Sequence, residues 1–311
     1  MRDDLRSIER GADALDRAIR GAAGSDVSLR NGALTSALSA HVDGGEVSIT
    51  PWPSGLDGEA MHGIAGEFVR MVEPNTEADA AAILIQFLVC AGALIGRGPH
   101  YRVEGDEHHA NLYALMVGAT AKGRKGTSWG RVREVFERIP DWKPHVSGLA
   151  SGEGLKYHVR DAREGTKPNK NGELVTEVVD EGVTDKRLLV VESEFASALR
   201  AAQRNGSTLS AAVREGWDTG NLRTLTKQDP VTATGAHVCI IGHITDDELR
   251  TELTATDSAN GFANRFLFVA VRRSKSLPFG GEQADSGEVE AFAIRLRELA
   301  EQARQDIGNG A

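Results

Sequence analysis

Aromatic residues are scarce in this chain, 5% of 311, which argues against a base-stacking platform as its main business. Cysteine is scarcer still. Cys90 and Cys239 are the only two, each inside an apolar run where a buried thiol is the default. No disulfide or zinc framework is expected from them, and the chain reads as a reduced, intracellular protein of the cytoplasm. The opening residues MRDDLRSIER lack the basic-then-apolar pattern of a signal peptide. A long membrane-spanning run is missing too: Ala80 to Ile95 is nearly all apolar but slightly short, contains Gln86 and Gly92, and reads as a buried core helix. There is no excess of positive charge. At a net −9 the surface as a whole is no nucleic-acid footprint, so any polyanion contact must come from a local basic patch.

What is present is enough apolar residue, 40%, for a sizeable core in one large or two modest domains. Leu5, Ile8, Ala12, Leu15 and Ile19 predict an amphipathic helix over Asp4 to Arg20, either packed on the main domain or docked on a neighbouring subunit. Ala22 to Asp57 is rich in Gly, Ser, Pro and Asp and reads as a linker. The chain thus divides into an N-terminal helix and linker (1–57), a main domain (58–280) and a C-terminal segment (281–311). In that last segment Val289, Phe292, Leu296 and Leu299 mark one face of a helix over Glu288 to Asp306. Within the main domain a helix is expected over Met61 to Met71. Thr76 and Asp79 suggest a capping box before Ala80, and His108 and His109 read as a solvated loop pair.

The chain reads as organised around LYALMVGATAKGRKGTS, Leu112 to Ser128. An apolar strand, Leu112 to Val117, ends at Gly118 and gives way to small and basic residues. A helix follows from Thr127, with Trp129, Val132, Val135, Phe136 and Ile139 at helical spacing. Strand, glycine loop and helix N-terminus in that order make a phosphate cradle. The amides of Gly118, Ala119, Thr120, Ala121, Lys122, Gly123, Arg124 and Gly126 line it, Lys125 supplies a point charge, and Thr127 or Ser128 offers a hydroxyl to Mg²⁺. The strict pattern G-x-x-x-x-G-K-S/T is offset here, because Arg124 follows Gly123 and Gly126 follows Lys125. The alternative is a Gly/Lys-rich surface turn.

Further along, SGEGL places Glu153 either as a water-polarising acid or as a first-turn glutamate of a helix starting near Ser151. Asp161 to Asp185 reads as a hairpin insertion around Asn171-Gly172. RLLVVESEF, Arg187 to Phe195, is a buried strand ending in acids. Extended alternation would put Glu192 and Glu194 on one side, one for the Mg²⁺ shell and one for water, although both could instead cap the helix Phe195 to Gln203. Arg214, Arg223 and Lys227 sit in a run that tracks a phosphate backbone or is a solvated loop anchored by Trp217. HVCII, His237 to Ile241, predicts a strand. His243 follows it either as a sensor of the γ-phosphate or as a cap for a helix starting near Thr245. Arg265 precedes the apolar strand Phe266 to Val271, with Arg272 and Arg273 beyond it. Any of these could serve a neighbour's γ-phosphate, and a structural ion pair is the other reading of Arg265.

The order GATAKGRKGTS, SGEGL, LLVVESEF, IIGHIT and GFANRFLF resembles the RecA-like P-loop ATPase domain of phage, plasmid and integrated-element replication proteins, over roughly Met61 to Pro278. That resemblance implies an α/β fold with a mainly parallel sheet flanked by helices, ATP with Mg²⁺, homo-oligomers that are possible hexamers, and hydrolysis coupled to movement on single-stranded nucleic acid beside a primase or other replication partner. It also implies Lys125 and the loop amides on the phosphates, Glu153, Glu192 or Glu194 as the acid, His243 as sensor and Arg265 reaching across a subunit boundary. The chain departs from the family's pattern in the offset loop, the missing Walker B aspartate and a histidine as sensor. No primase motif is visible.

Overall fold

The computed structural model describes residues 52–119, 123–168, 174–224, 231–282 and 285–305. The helix expected over Asp4 to Arg20 lies outside them, as does nearly all of the linker. After a 3-10 turn at Gly58–Ala60 come α1 (Gly63–Val72) and α2 (Ala80–Ile95). Asp79 alone caps α2, accepting from the Ala81 N–H at 3.0 Å, while Thr76 turns to the Ala78 N–H, so the expected capping box is absent. The next two strands, β1 (His100–Val103) and β2 (Asp106–His109), form an antiparallel hairpin. His108 and His109 therefore end a strand rather than lying in a loop. His109 is turned inward, its ring 5.3 Å from that of His100.

β3 (Tyr113–Val117) leads through the glycine loop to α3 (Lys125–Phe136), and α4 (Gly152–Tyr157) follows. β4 (Arg163–Pro168) and β5 (Leu174–Asp180) pair antiparallel as the expected hairpin, whose Asn171-Gly172 turn lies outside the described residues. Then come β6 (Arg187–Glu192), α5 (Phe195–Gln203), α6 (Leu209–Asp218), the short antiparallel pair β7 (Leu222–Arg223) and β8 (Thr232–Ala233), and β9 (His237–Ile244). α7 (Asp246–Glu252), α8 (Ala255–Ala259), β10 (Leu267–Ala270) and α9 (Ser286–Gln305) complete the order.

Four strands make the central sheet, in the order β10-β3-β9-β6, and every pairing is parallel. Past β6, Val146 adds a single parallel bridge to Val190. β3 and β9 are buried at every position, as continuous apolar runs covered on both faces must be. Alternation sorts their side chains. Ala114, Met116, Leu189, Val191, Cys239 and Ile241 face a layer built from α1, α2, α3 and α9. Tyr113, Leu115, Leu188, Val190, Val238 and Ile240 face the opposite layer, which holds α4, α5, α6 and α7. The molecule is therefore an α/β fold, a four-stranded parallel sheet flanked by helices. Both cysteines are buried free thiols.

Phe87 on α2 is the hub of the first layer. It stacks on Phe68 at 4.9 Å and meets Phe136 edge-on at 5.5 Å and Phe292 at 6.1 Å, tying α1, α3 and α9 together. α9 packs through Val289, Phe292, Ala293, Leu296 and Ala300. Leu299, expected on that face, is 44% exposed because the turn of the helix brings Ala300 inward in its place. Among the described residues no helix is long and apolar enough to cross a membrane.

Candidate functional site

Parallel pairing puts the C-terminal ends of all four strands at one edge. There β3 departs to α3, whose Trp129, Val132, Val135 and Phe136 belong to the first layer, and β9 departs to α7, whose Leu249 belongs to the second. Adjacent strands whose connections leave to opposite faces open a crevice, and in open α/β sheets ligands bind at such a point.

The glycine loop occupies that crevice. Gly118 donates its N–H to the Ile244 carbonyl at 3.2 Å, stitching the loop's first residue to β9. A Cβ on Gly118 would lie 2.2 Å from the Val271 carbonyl oxygen, so no other residue fits without moving the chain beyond β10. Gly123 donates to the Ala119 carbonyl at 3.1 Å, closing the loop on itself. Thr120, Ala121 and Lys122 lie outside the described residues. Two of the expected cradle amides, those of Gly118 and Gly123, are thus already used by the protein's own carbonyls.

Arg124 then adopts a left-handed conformation (φ 50°), uncommon for a residue with a side chain, and α3 begins at Lys125, two residues before the predicted start. Among the described residues no side chain caps this helix. Ser128 is the first amide with an intrahelical partner, the Arg124 carbonyl at 3.0 Å; the Lys125, Gly126 and Thr127 N–H groups, at the positive end of the helix, have no partner among the described residues. Lys125 bends back over the loop and donates to the Gly118 carbonyl. Its burial holds the amine below its ordinary pKa, while Glu248 pulls the other way.

Of the two candidate hydroxyls, only Thr127 is exposed. Ser128 is fully buried. It donates to the Lys125 carbonyl at 2.7 Å and accepts from Gln86 at 2.7 Å, so its hydroxyl is committed to the interior and does not face a metal. His243 lies within β9, which runs on to Ile244, not beyond a strand ending at Ile241. It caps nothing; α7 is capped by a capping box of Thr245 and Glu248. The His243 ring is buried with Nε2 3.1 Å from Gln86 Oε1, and burial, then the nearby Lys125 charge, push its pKa down to about 4.

The acids are less well placed. β6 ends at Glu192, so the extended alternation expected to align Glu192 with Glu194 stops before Ser193; Glu194 sits exposed in the turn before α5. Glu192 Oε1 accepts from the Leu149 N–H at 2.6 Å, on the side of β6 away from β9 and the loop. Glu153 is in the first turn of α4, as one reading had it, and accepts from the Thr208 hydroxyl at 2.8 Å, which holds its carboxyl below the usual range.

Arg265 is not beside the loop. β10 runs parallel to β3 from Leu267, opposite Ala114, so Arg265 precedes the strand at the far end of the sheet. There it is clasped by Asp218, at 3.0 and 2.6 Å, and donates to the Gly261 carbonyl at 2.6 Å: the structural ion pair rather than a free finger. Arg272 and Arg273 come out next to Gly118 instead. Arg273 and Arg124 both reach Glu77, whose other oxygen takes the Leu277 N–H at 2.9 Å. Arg214 is tied to the Ser210 and Asn260 carbonyls, Arg223 is exposed on β7, and Lys227 lies outside the described residues. Trp217 is held against Tyr113 at 4.9 Å, an anchor to the core.

Two residues at this edge were invisible to sequence reasoning. Gln86 stood out only as a polar break in an apolar helix, and Glu77 carried no local signal; both act across the fold. A groove of about 260 Å³ lined by Arg138, Ile139, Glu290 and Ala293 lies past the opposite end of α3 from the loop.

His243 and His237 share a consequence. His237 is also buried, its Nε2–H donating to the Gly92 carbonyl at 2.9 Å, and burial lowers its pKa to about 4. On unfolding each imidazole returns to an ordinary value near 6.5. Between those values the unfolded chain takes up protons that the folded chain refuses. Stability is therefore full above about pH 6.5 and is lost as pH falls toward 4, by on the order of 2–3 kcal/mol per histidine. Urea midpoints at pH 7 and 4.5 should show the loss, and His243→Gln should remove about half of it. A midpoint independent of pH over that range would refute this.

Neither a scan against protein-family models nor a search of curated proteins finds a match for this chain. Function must be argued from the crevice.

Proposed function

We propose that the chain is a RecA-like P-loop protein that binds ATP with Mg²⁺ at the C-terminal edge of the sheet and hydrolyses it, as a helicase-like motor component of mobile-element DNA replication. The observation that carries the ATP-binding part is the uncapped N-terminus of α3. It follows a closed glycine loop at the crevice between β3 and β9, and Lys125 lies over the loop. An anion there would meet the first-turn amides of Lys125, Gly126 and Thr127, the helix dipole and the Lys125 ammonium. The Lys125–Gly118 contact is a hydrogen bond to a neutral carbonyl, which a phosphate oxygen displaces in favour of a charge-assisted one. Thr127 is the hydroxyl that fits Mg²⁺, an ion usually held by few protein ligands together with the substrate phosphates and water. Held by Thr127, the ion would supply positive charge against the phosphate oxygens.

In this reading, water attacks the γ-phosphate directly, and the protein contributes position and charge. Arg272 and Arg273, emerging beside Gly118, replace Arg265 as the arginines in reach of the site. The motor, oligomer and replication parts of the proposal rest on the sequence resemblance; exposed Arg223 is the described cation offered to single-stranded nucleic acid.

A slow nucleotide switch is the second reading, favoured by one observation: Glu153 and Glu192 are both turned to other partners, Thr208 and the Leu149 amide. Steady-state ATPase rates with and without single-stranded DNA separate the two. A motor is expected to show turnover on the order of 1 s⁻¹ or faster, within the usual enzymatic range, with stimulation by DNA. Tight ATP binding with no turnover under either condition would leave the switch.

A further inference from the structure

Beneath the loop runs a chain of buried hydrogen bonds. Gln86, on α2 and fully buried, joins His243 of β9 to Ser128 in the first turn of α3. Its amide nitrogen donates to the Ala82 carbonyl at 2.9 Å and to Ser128 Oγ at 2.7 Å; Ser128 passes its own hydrogen to the Lys125 carbonyl. A backbone carbonyl can only accept, so the Ala82 contact fixes which end of the Gln86 amide is nitrogen. Oε1 is then left to face His243 Nε2, which must carry the hydrogen between them. In the neutral ring, Nδ1 therefore keeps its lone pair.

We propose that Gln86 is a positioning residue that locks His243 in the Nε2–H form and ties the end of β9 mechanically to the first turn of α3. A phosphate tail arriving at Lys125 is thereby registered at His243. This rests on the nucleotide site proposed above. The physical basis is that a buried polar chain with every donor direction assigned has few alternative arrangements. Movement of the Lys125 carbonyl reorients Ser128, and with it the Gln86 amide and the imidazole. It also changes the part expected of His243. Its single N–H is spent on Gln86, so it cannot donate to a γ-phosphate; what it can offer is the Nδ1 acceptor.

The test uses the full chain with ¹⁵N-labelled histidine, and long-range ¹H–¹⁵N spectra recorded with and without Mg²⁺ and a nonhydrolysable ATP analogue. His243 is assigned by comparison with His243→Gln. In the wild type it should show the neutral Nε2–H pattern and shift when the analogue binds. In Gln86→Met, and independently in Ser128→Ala, the analogue should bind within about tenfold of wild type, the scale of one lost neutral hydrogen bond. The His243 shift should then disappear. Ser128→Ala deletes only a hydroxyl, so it keeps the question open to refutation even where Gln86→Met folds poorly. An Nδ1–H pattern in the wild type, or an undiminished shift in either variant that binds, overturns the coupling and leaves the nucleotide site standing. Failure of the wild type to bind the analogue removes both.

Discussion

Lys125→Ala is expected to weaken ATP·Mg²⁺ binding by about 100-fold, as measured by titration calorimetry on the full chain. The ammonium is a side-chain charge already folded over the described part of the loop, and hydrogen bonds to charged groups contribute about 1.5–3 kcal/mol each, with tenfold in affinity for every 1.4. Stability should hardly change, because the variant removes a partly buried amine together with its desolvation cost and leaves the Gly118 carbonyl at the open mouth of the loop. Lys125→Arg should not rescue. A planar guanidinium is wider than an ammonium and is not interchangeable with a point charge in a tight loop. Unchanged affinity in the alanine variant would take the lysine out of the cradle, and most of the proposed function with it.

Phe87→Ala should cost about 3–5 kcal/mol, the range for truncating a fully buried aromatic. The position is severe because its ring touches three others, from α1, α3 and α9. For a chain of this size the loss lowers the melting temperature by roughly 10 °C. The comparison that isolates the cause is Leu88→Ala on the same helix, where the side chain is 37% exposed and the effect should stay under about 1 kcal/mol. Denaturant midpoints decide it. Equal effects at the two positions would mean that the first layer is not packed around Phe87.

The fold was legible where burial writes itself along the chain. Apolar runs at Tyr113 to Val117, Leu188 to Val191 and Val238 to Ile241 mark strands covered on both faces, and period 3.6 marks the helix that ends in Gln305. Boundaries were less so. β9 continues through Gly242 and His243 because Gly242 lets Phe195 and Leu115 close over the sheet, a fit that no local pattern announces. At the candidate site the backbone elements could be read, since Gly118, Lys125 and the helix are neighbours in sequence. The roles of individual side chains could not. Ser128 looked as available as Thr127 until Gln86 arrived from α2, and Arg265 looked available until Asp218 arrived from α6. A hydrogen-bond partner supplied from a distant element leaves no mark beside the residue it claims.

The strand order carries a consequence for how the polypeptide is made. Tyr113 pairs with Ile240, and Ala114 with both Ile241 and Leu267, so β3 has no neighbour in the sheet until β9 and then β10 have left the ribosome. Through that interval of synthesis, a wholly apolar segment waits without its flanking strands. Conditions that slow elongation after residue 117 should therefore raise the demand for chaperones far more than conditions that slow it after residue 270.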